Sequence, residues 1–141
     1  MRTTLILLLV FLQYNSFAQG DTSLSEIEKI NRTIFLYIDG TANGEPEKVK
    51  QAFHPDFNLY SVTEQDSLQV WRGEDYISKI KIGEKSKRIG RVISIDFEHN
   101  TAIAKAEIVI PNFRIFTDYF LLLKYKGSWK IIHKSYTYRD F

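Results

Sequence analysis

The sequence predicts an α+β domain, with helices gathered toward its start and an antiparallel sheet toward its end. Two observations carry this. Apolar residues recur at helical spacing from Ile27 to Ile38. From Ile89 to Ile110 they alternate with polar residues, the period of a strand with one buried face. Helices segregated to one side of a curled antiparallel sheet form an α+β layer architecture.

The elements follow in chain order. Ser23 and Ser25 each precede a glutamate by three residues (Glu26, Glu28), a capping-box signal for a helix start. Ile27, Ile30, Ile34 and Ile38, joined by Tyr37, then define one buried stripe, and Gly40 and Gly44 end the helix. Pro46 suits the first turn of a second helix with Val49, Ala52 and Phe53 on its apolar side. His54-Pro55 stops it, because the residue before proline is pushed out of the α region. A hairpin follows, Phe57 to Val62 and Leu68 to Trp71, around a polar turn. Gly73 opens a third helix with Tyr76, Ile77 and Ile80 on one face, closed by Gly83. Four strands complete the chain as an antiparallel meander. The first carries Ile89, Ile93, Ile95 and Phe97 on one face, and His99-Asn100 turns into the second, with Ala102, Ala104, Ala106, Ile108 and Ile110. Asn112 to Tyr125 is the third, and Lys126-Gly127 turns into Ser128 to Tyr138.

The first residues have another purpose. Arg2 supplies a basic start, Leu5 to Leu12 is an unbroken apolar run, and Ser16-Phe17-Ala18 offers small residues where a signal peptidase reads. Residues 1–18 are therefore expected to be a cleaved secretory signal, and residues 19–141 one exported domain, periplasmic or extracellular. The run falls short of the about 20 residues a membrane span needs. With no cysteine, the chain has no disulfide, no thiol chemistry and no Cys-ligated metal, so the core alone stabilises it. Lys+Arg 19 against Asp+Glu 17 gives no electrostatic case for nucleic acid. No histidine pair stands at ligand spacing, so no metal is expected, and with no phosphate-cradling glycine loop and no dinucleotide fingerprint no other cofactor is expected. The last two strands read as apolar on both faces, with Phe116, Phe120 and Leu122 on one and Tyr119, Leu121, Leu123 and Tyr125 on the other. A second greasy face needs cover, and the simplest cover is a second copy, which predicts a homodimer through the outer face.

The helix-end motif Ala52-Phe53-His54-Pro55-Asp56-Phe57 carries a resemblance. So do Trp71-Arg72-Gly73 before the third helix, Asp118-Tyr119-Phe120-Leu121-Leu122-Leu123-Lys124 and Gly127-Ser128-Trp129-Lys130-Ile131. Together they resemble the nuclear transport factor 2-like superfamily, nearest its small bacterial SnoaL-like or putative lumazine-binding branch. The resemblance covers essentially the whole chain after Ala18. It implies a cone-shaped curved sheet with three helices enclosing a ligand cavity, and frequent dimerisation. The fold hosts isomerases, dehydratases, cyclases and non-catalytic modules, so function must be argued from the site. Ketosteroid isomerase, a member, uses a helix-one tyrosine, a carboxylate base and a protonated acid on a late strand. Counted from Gly44, Tyr37 matches the tyrosine, but the base position falls on Ser61 and the acid near Phe120, and neither can do that work.

Strand arithmetic leaves one acid–base pair. With Lys126-Gly127 as a two-residue loop, Asp118 falls opposite Ser135 and His133 opposite Phe120, so Asp118 and His133 are diagonal neighbours on one face. Trp129 shares the His133 face, and Phe116 and Phe120 share that of Asp118. In an apolar cavity these two groups, with Tyr37 as hydrogen-bond donor, could act as general acid and base. The plainer reading is that Asp118 only orients His133, or pairs with Arg114 or a lysine. Tyr37, Tyr60, Trp71, Phe116, Phe120 and Trp129 are the candidate ligand-lining residues. The cluster Lys79, Lys81, Lys85, Lys87, Arg88 reads as a solvated helix end and loop. The favoured expectation is an exported cavity for a small apolar or aromatic ligand. An isomerase-, dehydratase- or cyclase-type enzyme and a dimerising interaction module are the alternatives.

Overall fold

In the computed structural model, which describes residues 24–141, the chain folds as three helices on one face of a six-stranded curved sheet. The expected export signal and Ser23 lie outside the described residues. Helix α1, Glu26–Asn43, starts at Ser25, whose hydroxyl accepts from the Glu28 backbone N–H while the Glu28 carboxylate accepts from the Ser25 N–H. Of the expected stripe, Ile30, Ile34, Tyr37 and Ile38 are buried, and Ile27 is half-exposed at the first turn. The helix runs through Gly40 and stops at Gly44, whose left-handed conformation (φ 67°) closes the cap. Gly40 is needed for packing, since a Cβ there would lie 2.7 Å from Val49 Cγ2 on the next helix.

Helix α2, Pro46–Ala52, opens with its proline and hands directly to β1, Phe53–Val62. The strand therefore starts before the His54-Pro55 breaker. β2, Leu68–Arg72, returns antiparallel to β1, and the short α3, Gly73–Ser78, leads into a loop that reaches β3, Ile89–Glu98. Strands β4 (Thr101–Ile110), β5 (Arg114–Tyr125) and β6 (Ser128–Asp140) form the expected meander with β3. Strand order is β2-β1-β6-β5-β4-β3. One pairing departs from an all-antiparallel sheet: β1 runs parallel to β6. Alternation along a strand reports which face is buried but not which neighbour it takes, so this pairing is invisible to sequence periodicity.

Two irregularities shift side chains. In β3 the register with β4 breaks between Val92 and Ser94, leaving Ile93 unpaired and exposed, while Val92, Ile95 and Phe97 turn toward the core. Ile89 and Ile93 thus leave the face the sequence assigned them. In β6 the register with β5 breaks between Leu121 and Leu122, so Ile132 is the extra residue. One inserted residue reassigns the face of everything beyond it relative to a regular count.

The core lies between α1, α2 and the inner sheet face, where Phe57, Leu59, Ala102, Ala104, Ala106, Ile108, Phe120, Leu122, Trp129 and Ile131 are buried. At one end, Trp129 Nε1–H donates to Glu26 Oε2 at 2.8 Å and Lys124 Nζ pairs with the same carboxylate at 3.0 Å, tying the first turn of α1 to the β5–β6 hairpin. At the other end the helices and the sheet separate around a cavity.

Candidate functional site

Three elements each deliver one polar side chain to the floor of that cavity. α1 brings Tyr37, β5 brings Asp118 and β6 brings Lys134, all almost fully buried. Tyr37 Oη–H donates to Asp118 Oδ2 at 2.8 Å, and Lys134 Nζ donates to Tyr37 Oη at 2.8 Å and to Asp118 Oδ2 at 3.0 Å. Both contacts to Asp118 fall on Oδ2. Asp118 Oδ1 is buried with no hydrogen-bond partner among the protein atoms, a cost of about 1–3 kcal/mol for a polar group left so.

Packing holds the trio rigidly. The Tyr37 ring meets Phe53 and Phe120 edge-on at 5.5 and 5.7 Å. The Lys134 ammonium lies 4.8 Å from the Tyr37 ring centre, 4.9 Å from that of Tyr136 and 5.7 Å from that of Tyr76, an aromatic surround that suits a desolvated cation. Burial, followed by the negative charge of Asp118, raises the Tyr37 phenol well above its usual 10, so it remains a hydrogen-bond donor across ordinary pH.

Above this floor is a cavity of about 200 Å³ with apolar walls from Leu59, Trp71, Ile108 and Phe116. Tyr76 and Tyr136 complete its sides, and Lys79 and Arg88 stand at its solvent edge. A second hollow of about 260 Å³ shares Tyr76, Lys79 and Arg88 with it and continues over Thr41, Glu84 and Ser86. Apolar walls with a few convergent polar groups are the usual construction of a small-molecule site.

The sequence-derived candidates divide. Tyr37, Asp118, Trp71 and Phe116 line the cavity. His133 does not meet Asp118. The extra residue Ile132 places His133 opposite Leu121 on the outer face, and Asp118 falls opposite Tyr136 rather than Ser135. There His133 stacks flat on Tyr60, ring centres 4.6 Å apart, with its Nε2 2.8 Å from Ser135 Oγ. Tyr60 is therefore on the outer face too. Phe120 is buried beneath the cavity against Tyr37, and Trp129 lies at the Glu26 end, so neither lines it. Asp118, two residues before Phe120 on the same face of β5, is the acid of that strand that meets Tyr37.

Lys134 is the residue that sequence reasoning missed. Its signal was the open alternative that Asp118 pairs with a lysine, and only the bulge decides which residue of β6 that is. Arg114, the other partner considered, pairs with Asp140 at 3.1 Å and stacks over Tyr138. Among the described residues no three His, Asp or Glu side chains cluster as metal ligands.

Known proteins bear on this geometry. The chain is 26% identical over 115 residues to Aldolase FrzH from Cladobotryum sp, covering 79% of this chain and 90% of that protein. A solved nuclear transport factor 2-like protein of unknown function from Methylobacillus flagellatus KT superimposes with a TM-score of 0.72 at 25% identity, over 84% of this chain and 96% of that one. A similar protein of unknown function from Shewanella baltica OS155 gives 0.71 at 20% identity, over 83% and 98%. The family described as Putative lumazine-binding matches residues 25–137, from the α1 cap into the last strand, and the chain belongs to that family within the nuclear transport factor 2-like fold.

Proposed function

We propose that this protein is an exported small-molecule-binding domain whose ligand sits on the Tyr37–Asp118–Lys134 floor. One observation carries the reading: a buried ion pair bridged by a phenol lies at the base of an apolar cavity with an unpartnered carboxylate oxygen. Buried charge pairs are often no more stabilising than apolar residues of the same volume, so stability alone is a weak reason for one here. The apolar walls select a small, mostly apolar or aromatic body, and the floor selects one oxygen or N–H group on it. A thermal-shift screen of small aromatic alcohols, ketones and acids tests this. Ligands that stabilise the wild type are expected to lose their effect in Ile108→Trp, which fills the cavity; ligands unaffected by that change contradict the site.

A second reading, carbonyl chemistry, is favoured by the relative named an aldolase and by the groups on the floor. Asp118 would take a proton through its free Oδ1 from the carbon beside a ligand carbonyl, whose oxygen accepts a hydrogen bond from the remaining N–H of Lys134, while Tyr37 keeps its O–H on Asp118 Oδ2. Proton–deuterium exchange at that carbon in heavy water, abolished in Asp118→Asn, is the expected signature; binding without exchange leaves the binding module alone. His133 has no part in either reading.

A further inference from the structure

Beyond the apolar walls and polar floor, the cavity edge carries uncompensated positive charge. Lys79 and Arg88 line both hollows, and neither makes an ion pair among the described residues. Their neighbours are paired: Lys81 with Glu84 at 3.2 Å, Arg72 with Glu74 at 3.5 Å, and Lys134 with Asp118 on the floor. The cavity wall therefore holds three cations against one carboxylate. The backbone that carries the two edge cations is anchored. Lys79 caps α3 and sits 5.4 Å over the Trp71 ring. The loop leading to Arg88 is bonded to the end of α1 through Gly83 N–H to Gly44 O at 2.9 Å and Ser86 N–H to Ala42 O at 2.7 Å.

On that arrangement, and resting on the cavity as the binding site, we infer that the ligand is a small organic anion. Its carboxylate head lies between Lys79 and Arg88, and its ring-sized apolar body lies against Leu59, Ile108 and Phe116. A guanidinium fork matches a planar carboxylate, and a low-polarity wall behind it focuses the field on the head group. An inorganic anion would leave the apolar walls without a partner. A wholly neutral ligand would make no ion pair with either cation. The lysine and arginine run that reads in sequence as a solvated loop thus divides: Lys79 and Arg88 line both hollows, Lys81 lines the second and pairs with Glu84, and Lys85 and Lys87 line neither.

Calorimetric titration with matched acid and amide pairs tests this: benzoate and benzamide, phenylacetate and phenylacetamide, indole acetate and its amide. The acid of at least one pair is expected to bind about tenfold or more tightly than its amide, weakening as salt is raised. That preference is expected to vanish in Lys79→Gln/Arg88→Gln and to survive in Lys85→Gln/Lys87→Gln, which removes equal charge outside the site. Equal binding of acid and amide, or a preference that survives Lys79→Gln/Arg88→Gln, overturns the inference. If such equal binding is abolished by Ile108→Trp, the cavity reading stands while the anionic head falls; if no acid or amide binds at all, both fall.

Discussion

Lys134 and Asp118 are the residues on which the site depends, and their energetics can be separated from their chemistry. Their side chains are 5% and 1% exposed, so removing one leaves the other charged and buried. Lys134→Met is expected to destabilise the fold by about 3–5 kcal/mol, whereas the double change Asp118→Leu/Lys134→Met recovers most of that loss. Urea unfolding of the three proteins measures it; equal loss in single and double variants would mean the pair does not act as a unit. Tyr37 adds a pH signature. Its phenol is raised by burial and by Asp118, so the unfolded chain ionises first as pH climbs. Its contribution is complete below pH 10 and declines above it, and Tyr37→Phe is expected to flatten that alkaline decline. At this scale the sequence revealed Tyr37 by its place on the α1 stripe and Asp118 as the one acid on an apolar strand. It concealed Lys134, because a lysine between Ile131-Ile132 and Tyr136 carries no mark of burial.

Among elements, helix-to-sheet attachment has its own test. Glu26 in the first turn of α1 is lowered from 4.5 to about 2, chiefly by its hydrogen bond to Lys29, then by Lys124 and Trp129. Its stabilisation is present above pH 4.5 and is lost as pH falls toward 2. Glu26→Gln is expected to remove that part of the acid transition, read by circular dichroism during acid titration; an unchanged acid limb would show that the Glu26 contacts do not hold the helix. The elements themselves were legible because caps, prolines, turns and alternation are local: Ser25 with Glu28, Pro46, and the alanines of β4 each stand where the sequence placed them. The bulges at Ile93 and Ile132 were not. Each stands in a run whose residues suit either face, so nothing local marks the extra residue, and the tertiary packing decides it. One unseen residue in β6 was enough to exchange His133 for Lys134.

For the whole molecule, the outer sheet face is the remaining large surface. Ile93, Ile103, Tyr119 and Tyr125 on it are 46%, 56%, 50% and 44% exposed, close to the expectation of a face needing cover. A homodimer through this face is the proposal that fits. Sedimentation analysis is expected to give a dimer that Tyr119→Glu converts to a monomer, and a wild-type monomer would contradict it. Export is proposed on the same footing, with the secreted chain expected to begin at Gln19 by mass spectrometry. The central claim concerns the cavity, and the two tryptophans report on it from opposite ends. Trp71 lines the cavity, and Trp129 lies at the Glu26 end of the sheet. Titrating a ligand from the thermal-shift screen into ¹⁵N-labelled protein while following both indole N–H signals is the most direct test. The account predicts that the Trp71 signal moves with saturation and the Trp129 signal stays; a moving Trp129 beside an unmoved Trp71 would contradict it.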